Sequence, residues 1–136
     1  MREHLTMAAT MDNLEQATGF LDAALEKLEV SPKTQLQLEL ALEEAYVNVV
    51  HYAYPDEDGE ITLELETEPD QRLFVLRLRD HGIAFNPLEE AEPDVSLTAG
   101  ERRIGGLGIF LVRKNVDEVS YEYRDGQNVL TMRKGY

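Results

Sequence analysis

"GGLGIFLVRK", residues 105–114, places three glycines within four positions and then runs straight into an apolar stretch closed by two basic residues. Glycine inside a helix costs about 1 kcal/mol relative to alanine, so such a cluster suits a helix start better than its interior. Bare amides around positions 105, 106 and 108 are able to converge on an anion, and the partly positive end of the following helix points at the same spot. Phosphate is the natural guest. Arg102 and Arg103, just upstream, are placed to add a charge-assisted contact. The plainer alternative is a helix start whose glycines serve close packing. The spacing fits neither the Walker loop, which needs a lysine and a hydroxyl after its second glycine, nor the dinucleotide fingerprint that follows a first strand.

The surrounding chain supplies the frame for that turn. Residues 81–106, "HGIAFNPLEEAEPDVSLTAGERRIGG", hold two prolines and scattered glycines with little periodicity. A loop of about 26 residues inside a compact domain is usually functional or mobile. Before it, "EITLELETE" (60–68) and "RLFVLRLRD" (72–80) alternate across the turn-prone "PDQ", as an antiparallel pair does. Ile61, Leu63 and Leu65 share one face of the first strand; Leu73, Val75 and Arg77 share one face of the second. After the helix from Leu107 to about Asn115, "DEVSYEYR" and "NVLTMRK" close the chain through "DGQ".

Upstream, "EHLTM" alternates as a short strand, and Leu14, Ala17, Leu21, Ala24, Leu25 and Leu28 recur at helical spacing within Met11 to Val30. Ser31 followed by Pro32 is a second helix start, because serine caps free amides and proline is tolerated at the first helical position. That helix is expected to run to about Tyr54, before Pro55 and "DEDG". The order strand, helix, helix, strand, strand, loop, helix, strand, strand implies an α/β two-layer sandwich: one mixed, mostly antiparallel sheet with helices on one face and a lid. Residues 1–136 suit a single domain.

Composition narrows the function. With 27 acidic against 13 basic residues the formal net charge is -14, which repels a polyphosphate backbone and argues against nucleic-acid binding. The acidic surface is first a solubility device, with a basic protein partner as the alternative. No apolar stretch approaches the roughly 18 residues that cross a bilayer, no secretory core follows the first methionine, and cysteine is absent; the cytoplasm is the expected compartment.

Two further constellations carry chemistry. In "LALEEAYVNVVHYAY" (40–54), Glu44 and Asn48 stand four residues apart on one helix face that is otherwise apolar. Burying an unpaired amide costs roughly 1–3 kcal/mol and a charge more, so the pair asks for a partner such as a metal ion carrying a polar ligand. The alternative is a solvated acid beside a polar edge residue. In "RLRDHGIAFNP" (77–87), Asp80 ends a strand and Gly82 follows; a carboxylate there is able to accept from an exocyclic amine, or simply to open a turn. The acidic "DEDGE" lacks calcium-loop spacing, and the histidines at 4, 51 and 81 have no second ligand at metal-site spacing.

Taken in order, "EEAYVN" on a helix, "DHGIAF" after a strand, a loop, and "GGLGIFLV" opening a helix resemble the asparagine box and two glycine boxes of the Bergerat-fold ATP-binding superfamily of gyrases, histidine kinases and MutL proteins. The likeness covers about residues 31–134. The short length and the ending "VDEVSYEYRDGQNVLTMRK" look most like the anti-sigma-factor serine/threonine kinases of bacterial partner-switching modules.

That resemblance implies ATP and Mg2+ as ligands. It makes Asn48 the residue that holds magnesium, Glu44 the general base toward a serine hydroxyl on a partner, and Asp80 the acceptor of the adenine amine, with Gly82 leaving room for the ring. It assigns Arg103 to the terminal phosphate, and Gly106, Leu107 and Gly108 to a cradle for the triphosphate. The implied partners are a small anti-sigma-factor antagonist, a sigma factor and a second copy of the chain; the alternative is an ATP-binding regulator that sequesters a partner without transfer. One position departs: the superfamily usually has a second glycine where this chain has Ala84.

Overall fold

The computed structural model describes residues 1–54, 58–89 and 108–136. Five strands, β1 (Arg2–Ala8), β2 (Glu60–Glu68), β3 (Leu73–Asp80), β4 (Glu118–Arg124) and β5 (Gln127–Gly135), form one sheet in the order β1-β2-β3-β5-β4. Every pairing in it is antiparallel. Helices α1 (Leu14–Lys27), α2 (Pro32–Asn48) and α3 (Gly108–Asn115) share one apolar core with the inner face of that sheet, giving the two-layer sandwich. The lid expected over residues 89–104 falls almost wholly outside the described residues, as does the stop at 55–57.

Register decides what each strand shows to the helices. Leu63 lies opposite Leu78 and Leu65 opposite Leu76, so the inner face of β3 is Phe74, Leu76, Leu78 and then Asp80, which faces Ile61. Leu73, Val75 and Arg77 do share a face, but it is the outer one. There Arg77 Nη1 meets Glu66 Oε2 at 2.8 Å and Arg79 Nε meets Glu64 Oε1 at 2.5 Å. Because side chains alternate with a period of two, a one-residue offset moves the whole set across the sheet. Val75 misleads because it is only 1% exposed on that outer face, flanked in register by Glu66 and Arg133.

The closing hairpin turns at Asp125-Gly126, whose φ values of 55° and 77° are the left-handed pair that a two-residue turn needs. It returns β5 to the middle of the sheet beside β3 and leaves β4 at the edge. Asn128 thereby comes to lie opposite Asp80.

The helices follow their start signals. A 3-10 turn at Met11–Asn13 leads into α1, which buries Ala17, Leu21, Ala24 and Leu25 as one stripe. Ser31 caps α2 by accepting from the Thr34 amide at 3.1 Å, with Pro32 in the first turn. Regular α-helix ends at Asn48 and a π-helical turn, Val49–Ala53, carries the chain on toward Tyr54. Tyr46, fully buried on α2, donates its hydroxyl to the Thr10 carbonyl at 2.6 Å and ties the β1–α1 connection to the helix. Tyr46→Phe removes this bond while keeping the ring and leaves the Thr10 carbonyl with the Asn13 amide at 3.1 Å; we expect a loss of about 1 kcal/mol in a denaturant melt, and an unchanged midpoint would show that the hydroxyl does not tie the connection to the helix. Among the described residues no helix is long and apolar enough to cross a membrane.

Candidate functional site

The end of α2, the end of β3 and the start of β5 enclose a cleft lined by Asn48, Leu78, Asp80, Phe85, Tyr121 and Asn128, among others. Its free volume is about 30 Å3, room for about one water molecule. A purine therefore enters only as a wall gives. Helix and sheet form most of the wall; the Phe85 ring, on a loop and stacked on Tyr52 at 4.9 Å between centroids, is the part best able to swing aside.

Asn48 is 6% exposed and lies on the cleft wall, yet among the described residues its side chain makes no hydrogen bond. Its two polar atoms are therefore available to something that fills the cleft. Glu44 sits one turn earlier on α2 and is partly buried, whereas Glu43 is exposed. Burial pushes the Glu44 carboxyl above the ordinary carboxylate range, with the charge of Glu43 adding to the shift. The contrast in burial separates the two adjacent acids, which the sequence distinguished only by the four-residue spacing.

Asp80 is 4% exposed. Its Oδ1 accepts from the Gly82 amide at 2.9 Å and from Asn128 Nδ2 at 2.8 Å, and among the described residues nothing donates to Oδ2. Burial raises the Asp80 carboxyl above its usual range, while the Asn128 and Gly82 donors and the nearby His81 pull it back. One oxygen is thus held by the protein and the other is left for an incoming donor.

Gly82 has a structural duty that the sequence did not reveal. A Cβ there would sit 2.3 Å from the Ala53 carbonyl oxygen and 2.6 Å from its Cβ. The same carbonyl accepts from the Ile83 amide at 2.9 Å, so the loop after β3 is seated directly on the π-helical turn. Gly82→Ala is expected to destabilise the fold by about 1–3 kcal/mol with no ligand present. A thermal melt equal to wild type would show that the glycine serves only a bound ring. Ala84 is exposed, so its methyl does not point into the cleft.

Gly108 is the first residue of α3, and α3 packs on α2, which puts Gly108 and the Asn48 helix on the same side of the sheet. Arg103, Gly106 and Leu107 lie outside the described residues. No group of three or more His, Cys, Asp or Glu stands ready for a metal among the described residues. Sequence reasoning missed Asn128. It lies 48 positions after Asp80 with no motif around it, and only the β3–β5 register brings the two together.

Comparison with known proteins agrees with this geometry. Residues 7–134 match the family described as histidine kinase-like ATPase domain. The chain is 38% identical over 98 residues to a serine-protein kinase RsbW of Listeria monocytogenes, covering 68% of this chain and 61% of that protein. It is also 28% identical over 129 residues to the serine/threonine-protein kinase BtrW of Bordetella bronchiseptica, covering 94% of this chain and 89% of the other. The crystal structure of the RsbU and RsbW domains of Rv1364c from Mycobacterium tuberculosis superposes with a TM-score of 0.70 at 15% identity, over 99% of this chain and 32% of that one, which is a likeness of fold. This chain thus spans about three-fifths of the length of the Listeria kinase it matches. With its cleft, its helix pairing of acid and amide, and this match over most of its length, the chain belongs to the histidine kinase-like ATPase domain family.

Proposed function

We propose that the protein is an ATP-dependent serine/threonine protein kinase and anti-sigma regulator that phosphorylates a small anti-sigma-factor antagonist. One observation carries the reading: Asn48 and Asp80 line a single cleft, the Asn48 amide and Asp80 Oδ2 have no hydrogen-bond partner among the described residues, and a half-buried acid stands one turn before the amide. The names of the two relatives, a serine-protein kinase and a serine/threonine-protein kinase, support it.

In this reading Asp80 Oδ2 accepts from the exocyclic amine of adenine, and Asn48 supplies its carbonyl oxygen at the phosphates. Asn48 would hold magnesium there, and the ion would supply neutralisation of the charge that develops on the phosphates. Glu44 takes the proton from the acceptor serine as the serine oxygen bonds to the γ-phosphorus and the bond to the bridging oxygen of ADP breaks. Arg103 reaches the terminal phosphate, and the amides of Gly106, Leu107 and Gly108 hold the triphosphate, as the resemblance implies. Gly82 and Ala84 frame the base without contributing polar groups. A sigma factor and a second copy of the chain are the other partners, and the cytoplasm is the compartment in which such a switch would act.

The test is direct. Purified protein, labelled ATP, magnesium and a small antagonist carrying an acceptor serine should yield labelled antagonist, and transfer should stop on chelation of the metal. Binding of ATP with no transfer to any such antagonist would leave a nucleotide-controlled sequestering protein in place of a kinase.

A further inference from the structure

Asn128 is the most fully engaged polar side chain in the cleft. Its Nδ2 donates to Asp80 Oδ1 at 2.8 Å and to the Ile83 carbonyl at 2.9 Å. Its Oδ1 accepts from the Phe85 amide at 3.0 Å and from the Tyr121 hydroxyl. Both carboxamide hydrogens and both lone pairs are therefore spent on the protein. The arrangement also settles which way the amide points, since a flipped group would turn donor on donor at the Phe85 amide and acceptor on acceptor at Asp80 Oδ1 and the Ile83 carbonyl.

Three consequences follow from this count. Asn128 is 5% exposed and has no bonding capacity left for a ligand, although it lies on the cleft wall. Asp80 Oδ1 is occupied by Asn128 and Gly82, which among the described residues leaves Oδ2 alone without a donor, on a residue that lines the cleft. The loop after β3 is stitched to β5 at Ile83 and at Phe85, one on each side of Ala84, so a side chain braces the loop where a glycine would otherwise set its path. Tyr121, on the edge strand β4, completes the brace from beyond β5.

We infer that Asn128 is a positioning residue for base recognition: it orients the Asp80 carboxylate so that one oxygen faces the exocyclic amine of the nucleotide, and it ties the 83–85 loop to β5. The inference rests on the nucleotide reading above, and it predicts that Asn128 matters through Asp80 and only for ligands that carry the amine.

The experiment compares wild type, Asn128→Ala and the same-sized Asn128→Asp for binding of ATP and of purine riboside triphosphate, which lacks the amine, and for amide exchange of nucleotide-free protein. For both variants ATP affinity should fall about tenfold, as expected for loss of a bond that orients a charged acceptor, while affinity for the des-amino analogue should change less than twofold. Exchange at the Phe85 amide should accelerate in Asn128→Ala without nucleotide. In an Asp80→Asn background the Asn128→Ala change should cost ATP binding less than twofold. Equal losses for ATP and the analogue, or the full tenfold loss without Asp80, would overturn the inference, because Asn128 would then act on the ligand directly or on the fold at large. If wild type binds neither nucleotide, the nucleotide reading itself fails. Phe85 exchange then still judges the brace: unchanged protection in Asn128→Ala overturns it.

Discussion

Replacing Glu44 by glutamine is expected to lower phosphoryl transfer by roughly 10^2- to 10^4-fold while ATP binding stays within about twofold of wild type, since a general base contributes that much and only in the transition state. Glutamine keeps the shape, exchanges one acceptor oxygen for an NH2 donor and cannot serve as a base. The measurement is single-turnover transfer beside a nucleotide titration; normal transfer by the variant would strip Glu44 of its assigned role. A pH profile sharpens the test. The base works only as the carboxylate, so transfer should rise with pH through the Glu44 pKa, at values above the ordinary carboxylate range because burial and then Glu43 disfavour the charge. Glu43→Gln removes the second cause and should move that limb toward lower pH without lowering the plateau. A limb that stays put would place the titrating group elsewhere.

Asp80→Asn is the second large effect, and it separates binding from stability. The variant keeps an oxygen for the Gly82 and Asn128 donors but presents an amide nitrogen where Oδ2 stood, so two donors face each other at the base. Loss of a charged acceptor costs about 2–3 kcal/mol, or roughly 30- to 150-fold in affinity for ATP. Stability should move the other way. A carboxyl whose pKa is raised in the fold is penalised when ionised; that penalty is full above the folded pKa and vanishes as pH falls below the unfolded one. At neutral pH the asparagine variant should therefore melt at or above the wild-type temperature. A variant that both binds poorly and melts early would mean that Asp80 is structural and its effect on nucleotide indirect.

Much of the architecture was legible in local chemistry. The Ser31-Pro32 start, the two alternating runs joined by "PDQ" and the Asp125-Gly126 turn each state their own geometry, because capping oxygens, period-two burial and left-handed backbone are properties of a few adjacent residues. Those signals were enough for the two-layer sandwich. They were not enough to say which face of β3 turns inward, or that Asp80 belongs there with Leu76 and Leu78. Likewise the spacing from Glu44 to Asn48 was visible, but their unequal burial, and the exposure of Glu43, depended on what packs against α2.

Gly82 and Asn128 show where local reading stops. A glycine after a strand-ending aspartate suggests space for a ligand, yet its first obligation is to the Ala53 carbonyl, nearly thirty positions earlier on a π-helical turn that no short window foretells. Asn128 belongs to the cleft only because a hairpin inserts β5 beside β3.

The sequence by itself determined the kinds of element, their order, the acidic surface and the box residues that resemble an ATP site, since each is encoded within a turn or two of chain. Only the tertiary structure decided which oxygen of Asp80 is free, which glutamate is half-buried and which asparagine does the bracing. Those depend on strand register and helix packing, where groups far apart in the chain compete for the same few hydrogen bonds and the same few ångströms.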